Sequence, residues 1–175
     1  MSKTRIKIIA VFLLLFLPLW VHAQGQGKFF TQNFSPKVYR AAPQVWQITQ
    51  DIRGFIYFGT EDGVVEYDGV KWNLIRTANK STAFSLAKND EGQIFVGAAG
   101  DIGYLAPDSV GNLKYISLLE TLPEEDREFG NVWSTHVLDD AIYFQTPQKV
   151  IRWKNGEAKV WNTPSAQNNS FLFSK

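Results

Sequence analysis

The sequence predicts an all-β chain, a β-propeller of four-stranded antiparallel blades with about three blades of an incomplete ring present. Two observations carry that prediction. The first is a repeat. The stretch Val45–Ile75 reads VWQITQDIRGFIYFGTEDGVVEYDGVKWNLI, and a shift of 38 residues lays Ile48, Gly54, Ile56, Tyr57 and Gly59 on Leu86, Gly92, Ile94, Phe95 and Gly97. A shift of 86 lays Ile56-Tyr57-Phe58 on Ile142-Tyr143-Phe144, Thr60 on Thr146 and Tyr67 on Trp153. Val45-Trp46 meets Val132-Trp133 at a shift of 87, because the turn at Asp139-Asp140 is one residue shorter than that at Asp51–Gly54. The period is about 43 residues, that of four-stranded blades and longer than that of helical repeats. The second observation is composition. The repeated runs are rich in Phe, Tyr, Trp, Val and Ile and punctuated by Gly and Asp, which favours strands. Both faces of Phe55–Phe58 and Ile94–Val96 are apolar, as needed in a sheet sandwiched between two others.

Taken in order, Lys3, Arg5 and Lys7 precede the apolar run Ile8–Val21 and then Ala23, the pattern of a secretory signal peptide (residues 1–23). The run contains Pro18 and is short of the roughly 20 residues that span a bilayer. Export to the periplasmic side is therefore expected, with a mature chain from Gln24. Cleavage removes three of 18 basic residues and none of 17 acidic ones, leaving a net charge of −2. A mildly acidic chain has no electrostatic basis for direct nucleic-acid binding. There is no cysteine, so core burial must replace disulfides, and thiolate metal sites are excluded.

Residues 24–42 form a lead-in. Phe29–Phe34 is read either as an extra strand that closes a ring or as a strap along the first blade. Blades follow over residues 43–175. The first, 45–75, has strands at Val45–Gln50, Phe55–Gly59, Val64–Tyr67 and Val70–Ile75, with Asp68-Gly69 as a hairpin dipeptide. The second spans 83–118 and the third 132–161. Ser170–Ser174 falls where a fourth is due. A closed ring of even four such blades needs about 170 residues, more than the 152 left after cleavage, so the chain reads as the N-terminal part of something larger. An open arc leaves apolar faces on its first and last blades, and self-association of the isolated arc is expected.

The run NFSPKVYRAAPQVWQITQDIRGFIYFGTEDGVVEYDG (Asn33–Gly69) with GAAGDIGYLAPDS (Gly97–Ser109) resembles the two-component-regulator propeller repeats in sensor regions of Bacteroidetes-type signalling proteins. That resemblance implies a periplasmic propeller array followed by a triple-tyrosine immunoglobulin-like domain and a membrane helix. It also implies a cytoplasmic output such as a histidine kinase, a helix-turn-helix domain or a cyclase. Membrane tethering would come only through the downstream helix, and a dimer of the full-length protein fits the same scheme.

Catalytic constellations are scarce. One histidine, His136, remains in the mature chain, placed in the first strand of the third blade as a packed or channel-lining residue. No phosphate loop is present, since Gly97–Gly100 lacks a following helix. The acidic turns at Asp51, Asn89-Asp90-Glu91 and Asp139-Asp140 lack the ligand spacing of a calcium loop, and their residues suit hairpin turns. No cofactor, no catalytic residue and no metal ligand is therefore assigned. Sequons at Asn33, Asn79 and Asn168 are surface markers only.

Binding candidates are Trp46 and Trp133, which start the innermost strands, and Glu61 and Asp62 in an adjoining turn. Periodic aromatics serve packing between blades, whereas stacking on a carbohydrate is the functional alternative for these two. Up-and-down topology gathers Arg76–Thr82, Glu120–Asn131, Asn162–Asn169, Thr60–Asp62, Ala98–Asp101 and Gln145–Gln148 on one face, where binding is expected on the long loops. The function expected is a non-enzymatic ligand-sensing module with a small-molecule or oligosaccharide ligand. The alternatives are a secreted propeller enzyme acting on polysaccharide and a protein-interaction scaffold.

Overall fold

The computed structural model describes residues 31–162. The signal segment 1–23, the lead-in up to residue 30, Asn168 and the strand expected at Ser170–Ser174 lie outside the described residues. Chain contacts separate Met1–Asn33 from Phe34–Lys175, and the sheets belong to the second unit.

Three sheets of four strands follow one another. The first is β1 (Val45–Gln50), β2 (Ile56–Thr60), β3 (Gly63–Tyr67) and β4 (Trp72–Ile75); the second is β5 (Ala83–Lys88), β6 (Ile94–Ala98), β7 (Asp101–Pro107) and β8 (Leu113–Ser117). The third is β9 (Ser134–Leu138), β10 (Ala141–Gln145), β11 (Lys149–Lys154) and β12 (Glu157–Asn162). Strand order within each sheet is sequential, and all pairs are antiparallel. These are three consecutive blades of a β-propeller.

The repeat read from sequence is a repeat of register. Ile48 pairs with Phe58 and Leu86 with Val96, and the innermost strands of blades one and two are bulged at the same place, between Val45 and Gln47 and between Ala83 and Ser85. The first turns of blades one and two are built alike. Asp51 Oδ1 accepts the Phe55 N–H at 3.0 Å, and Asn89 Oδ1 accepts the Gln93 N–H at 2.8 Å. In blade three Val137 pairs with Ile142 and Leu138 with Ala141, so Asp139 and Asp140 alone form the turn, both at positive φ (48° and 59°), as a two-residue hairpin of this hand requires. One boundary differs from expectation. The outer hairpin of blade one turns on Gly69 and Val70, closed by Asp68 N–H to Lys71 O at 3.3 Å, because the Asp68 carboxylate accepts the N–H groups of Val70 and Lys71.

Side-chain alternation sends one row of each sheet into the seam ahead and the other into the seam behind. Tyr57, Val64 and Ile75 of blade one meet Ala83, Leu86, Ile94, Val96 and Leu105 of blade two. Phe95 and Ile102 of blade two meet Val132, Ile142, Phe144 and Ile151 of blade three, with Leu118 and Leu122 added from the connection. Trp153 is the expected inter-blade packer, its ring 5.8 Å from Phe95 and 6.3 Å from Tyr104.

Tyr67, its counterpart in blade one, has no preceding blade beside it among the described residues. It stacks on Trp72 at 4.2 Å, and Phe34 covers the pair at 5.6 and 5.0 Å. Tyr39 adds a fourth ring, 5.6 Å from Trp72, at the end of the short helix α1 (Pro36–Tyr39), which Pro36 starts and Arg40 ends in the left-handed region. Phe34–Tyr39 thus packs along the outer strands of the first blade, and no strand is assigned over residues 31–34. The expectation of a bare first face is corrected in part: the strap covers the outer strands, while Ile48 on β1 stays 58% exposed.

Candidate functional site: an aromatic cluster on the innermost strands

A bulge places an extra residue in one strand and re-aims its side chain. Here the extra residue is Trp46 in β1 and Phe84 in β5, and Trp133 occupies the corresponding place just before β9. The three rings converge. Ring centroids are 4.9 Å apart for Trp46 and Phe84, 4.7 Å for Phe84 and Trp133, and 6.0 Å for Trp46 and Trp133. All three pairs are edge-on or tilted, the arrangement aromatic quadrupoles prefer. The cluster is not core, since Trp46 is 43% and Trp133 50% exposed. The structure brings Trp46 and Trp133 together and adds Phe84, which the sequence reading did not single out, although a shift of 38 residues lays Trp46 on it.

Glu61 and Asp62 lie beside the cluster, because Val45 pairs with Thr60 and the β2–β3 turn follows directly. Glu61 is exposed, and its carbonyl accepts the Thr82 hydroxyl at 3.5 Å. Asp62 is committed elsewhere. One carboxylate oxygen accepts the Ala42 N–H at 2.7 Å and the other lies 3.9 Å from Arg76 Nη1, so Asp62 anchors the strap to the turn. His136 sits in β9 opposite Tyr143 and is exposed. The Asp51 carboxylate serves its own turn, bonded to Arg53, Phe55 and Tyr57.

The connection 119–131 is more ordered than its charge suggests. Two single 3-10 turns, Leu119–Thr121 and Glu124–Asp126, are held down by Leu118 and Leu122, both in the core of the second seam. Arg127 donates to the Leu122 and Glu120 carbonyls at 3.0 and 3.1 Å. Lys149 of the β10–β11 hairpin reaches Asp126 at 2.9 Å, with only 12% and 19% of the two side chains exposed. At the far end Gly100 N–H donates to Gly130 O at 3.1 Å, and Asn79 Nδ2 donates to Ala99 O at 2.8 Å. The long loops of this face are thereby bonded to one another around Ala99-Gly100. Replacing Lys149 by alanine is expected to cost about 1–2 kcal/mol, between the exposed and buried limits for an ion pair. Hydrogen exchange should show faster exchange confined to 119–131.

The opposite face also has a concavity. A cleft of about 740 Å³ lies between the Asn89–Gln93 turn and Asp139-Asp140, with Phe95, Ile142 and Trp153 among its lining. Among the described residues no group of three or more His, Asp or Glu is placed to hold a metal ion.

No family profile matches the sequence, and no curated protein matches it. Solved structures do match. The extracellular domain of BT4673, a proposed one component system of B. thetaiotaomicron, superposes with a TM-score of 0.54 at 19% identity over 74% of this chain and 17% of that one. The extracellular domain of BT3049, a proposed hybrid two component system of the same organism, gives 0.55 at 14% identity over 79% and 18%. A streptogramin B lyase gives 0.50 at 19% identity over 71% and 43%. The chain spans less than a fifth of the two extracellular domains, and at these identities the likeness establishes the shared propeller fold.

Proposed function

We propose that this chain is part of an extracytoplasmic ligand-sensing propeller in a membrane-spanning signalling protein of two-component type. The observation that carries the reading is the cluster of Trp46, Phe84 and Trp133, three large rings at equivalent positions of three blades with both indoles held toward solvent and Phe84 half-buried between them. Exposed aromatics cost free energy unless something covers them, and indole faces stack well on the C–H face of a sugar ring. The ligand is accordingly a small molecule or oligosaccharide, met on the long-loop face. Support for the signalling context comes from the basic and apolar N-terminus, from the repeat resemblance, and from the extracellular domains of proposed one- and two-component systems that share the fold. Binding would act by shifting the population between two propeller or dimer arrangements, to the extent that the ligand favours one of them.

The test is made on the full-length protein with a panel of defined oligosaccharides, followed by tryptophan fluorescence and calorimetry. Trp46→Ala and Trp133→Ala are each expected to weaken binding about tenfold, equivalent to about 1.4 kcal/mol. The expected spectral change is loss of the fluorescence response with the fold intact. Binding that survives both substitutions, with protection from exchange confined to the Asn89–Gln93 and Asp139-Asp140 turns, would move the site to the opposite face.

A further inference from the structure

Each innermost strand carries the same two-residue unit, an aromatic followed by a short or amide side chain: Trp46-Gln47, Phe84-Ser85 and Trp133-Ser134. The aromatic joins the cluster. In the first two blades the polar neighbour reaches sideways into the next blade. Gln47 Oε1 accepts the N–H of Leu86 at 2.9 Å. Because β5 is the innermost strand of its sheet, an amide on its inner edge has no ladder partner, and Gln47 supplies one across the seam. Ser85 Oγ donates to the carbonyl of Val132 at 2.9 Å and lies 2.7 Å from Thr135 Oγ1. The serine proton is spent on Val132, so Thr135 donates to Ser85. Ser85 and Thr135 are both buried, and neither hydroxyl can be left unbonded cheaply.

We infer that Gln47 and Ser85 are positioning residues for the aromatic cluster, setting the spacing of neighbouring innermost strands at the bulges and so the relative placement of the three rings. Ring contacts between adjacent blades each depend on one seam. The Trp46–Trp133 contact at 6.0 Å depends on both, because it joins blades one and three across blade two. It is therefore the most sensitive reporter of either lateral bond. Calling the cluster a ligand platform rests on the function proposed above; the positioning of its rings does not.

Two indoles this close give an exciton couplet in far-ultraviolet circular dichroism, isolated as the difference between the full-length protein and its Trp133→Phe variant. Gln47→Met keeps the side-chain length and removes the acceptor. The couplet is expected to fall to less than half in Gln47→Met and to recover in Gln47→Glu, which again offers an acceptor to Leu86. Ser85→Ala, acting at the other seam, is expected to give the same loss and serves if Gln47→Met does not fold. A purely structural role would lower the unfolding midpoint and leave the couplet of the folded variants unchanged, and that result would overturn the inference. Failure of every oligosaccharide to bind overturns the ligand reading instead, since the couplet is read without ligand.

Discussion

Asp51→Ala is expected to cost about 3 kcal/mol, because it removes the acceptor for several buried donors at once. The Asp51 side chain is 1% exposed. It accepts the N–H groups of Arg53 and Phe55 at 2.8 and 3.0 Å and the Tyr57 hydroxyl at 3.2 Å. The single Tyr57 proton is shared between Asp51 and Glu66, which lies 3.0 Å away, so the hydroxyl ties the β1–β2 turn to β3. Arg53 also pairs with Asp51, but it is 55% exposed and that ion pair adds little. Burial pushes the Asp51 carboxyl up, yet its bonds to the Arg53 side chain and to the Phe55 and Arg53 N–H groups hold it below the ordinary aspartate value. A depressed value in the fold stabilises above the unfolded value of about 3.9 and loses that contribution as pH falls through the folded one. Urea unfolding of wild type and variant should therefore differ fully at neutral pH and converge in acid. Asp101 runs the other way. Burial raises it in spite of the bond from Ser117 at 2.7 Å, so its contribution is present below the unfolded value and is lost as pH rises through the folded one. An Asp51→Ala difference that persists unchanged below the folded value would mean that the carboxylate charge is not what the turn uses.

Gly97→Ala is expected to be nearly as costly, by crowding a seam. A Cβ at Gly97 would run into the Ser85 hydroxyl and the Val132 side chain and lie 2.8 Å from Thr135 Oγ1. The same position in blade one, Gly59, would place a Cβ 2.7 Å from the Ala83 carbonyl oxygen. Both glycines give room for the next innermost strand. Neither is needed for its backbone angles, which are not in the left-handed region. Overpacking of this kind costs about 1–3 kcal/mol, and here it also disturbs the Ser85 bonds that cross the seam. Gly130→Ala is the control: nothing lies within 4 Å of its added Cβ, so a change within about 0.5 kcal/mol is expected. Equal unfolding midpoints for the two variants would show that the seam yields to an extra methyl group.

The sequence by itself determined the blade repeat and its phase. Strand pairing depends on alternation and on turn chemistry, both local, so the 38-residue shift returned the same register and even the same bulge. It also determined that Trp46 and Trp133 occupy equivalent places, because equivalence is a property of the repeat. Tertiary structure decided what those places face. Whether a periodic tryptophan packs in a seam, as Trp153 does, or turns to solvent, as Trp46 does, depends on the bulge and on the distance between innermost strands. The bulge lies within a blade, but the distance between innermost strands is not written in any one blade. The same holds for Asp62, whose acidic turn looked open to a ligand until the strap delivered the Ala42 N–H to it. It holds for the 119–131 connection too, whose charges hid the two leucines that pin it into the second seam. Contacts within a blade follow from neighbours in sequence, whereas contacts between blades, which build the aromatic cluster, follow from how the sheets stack.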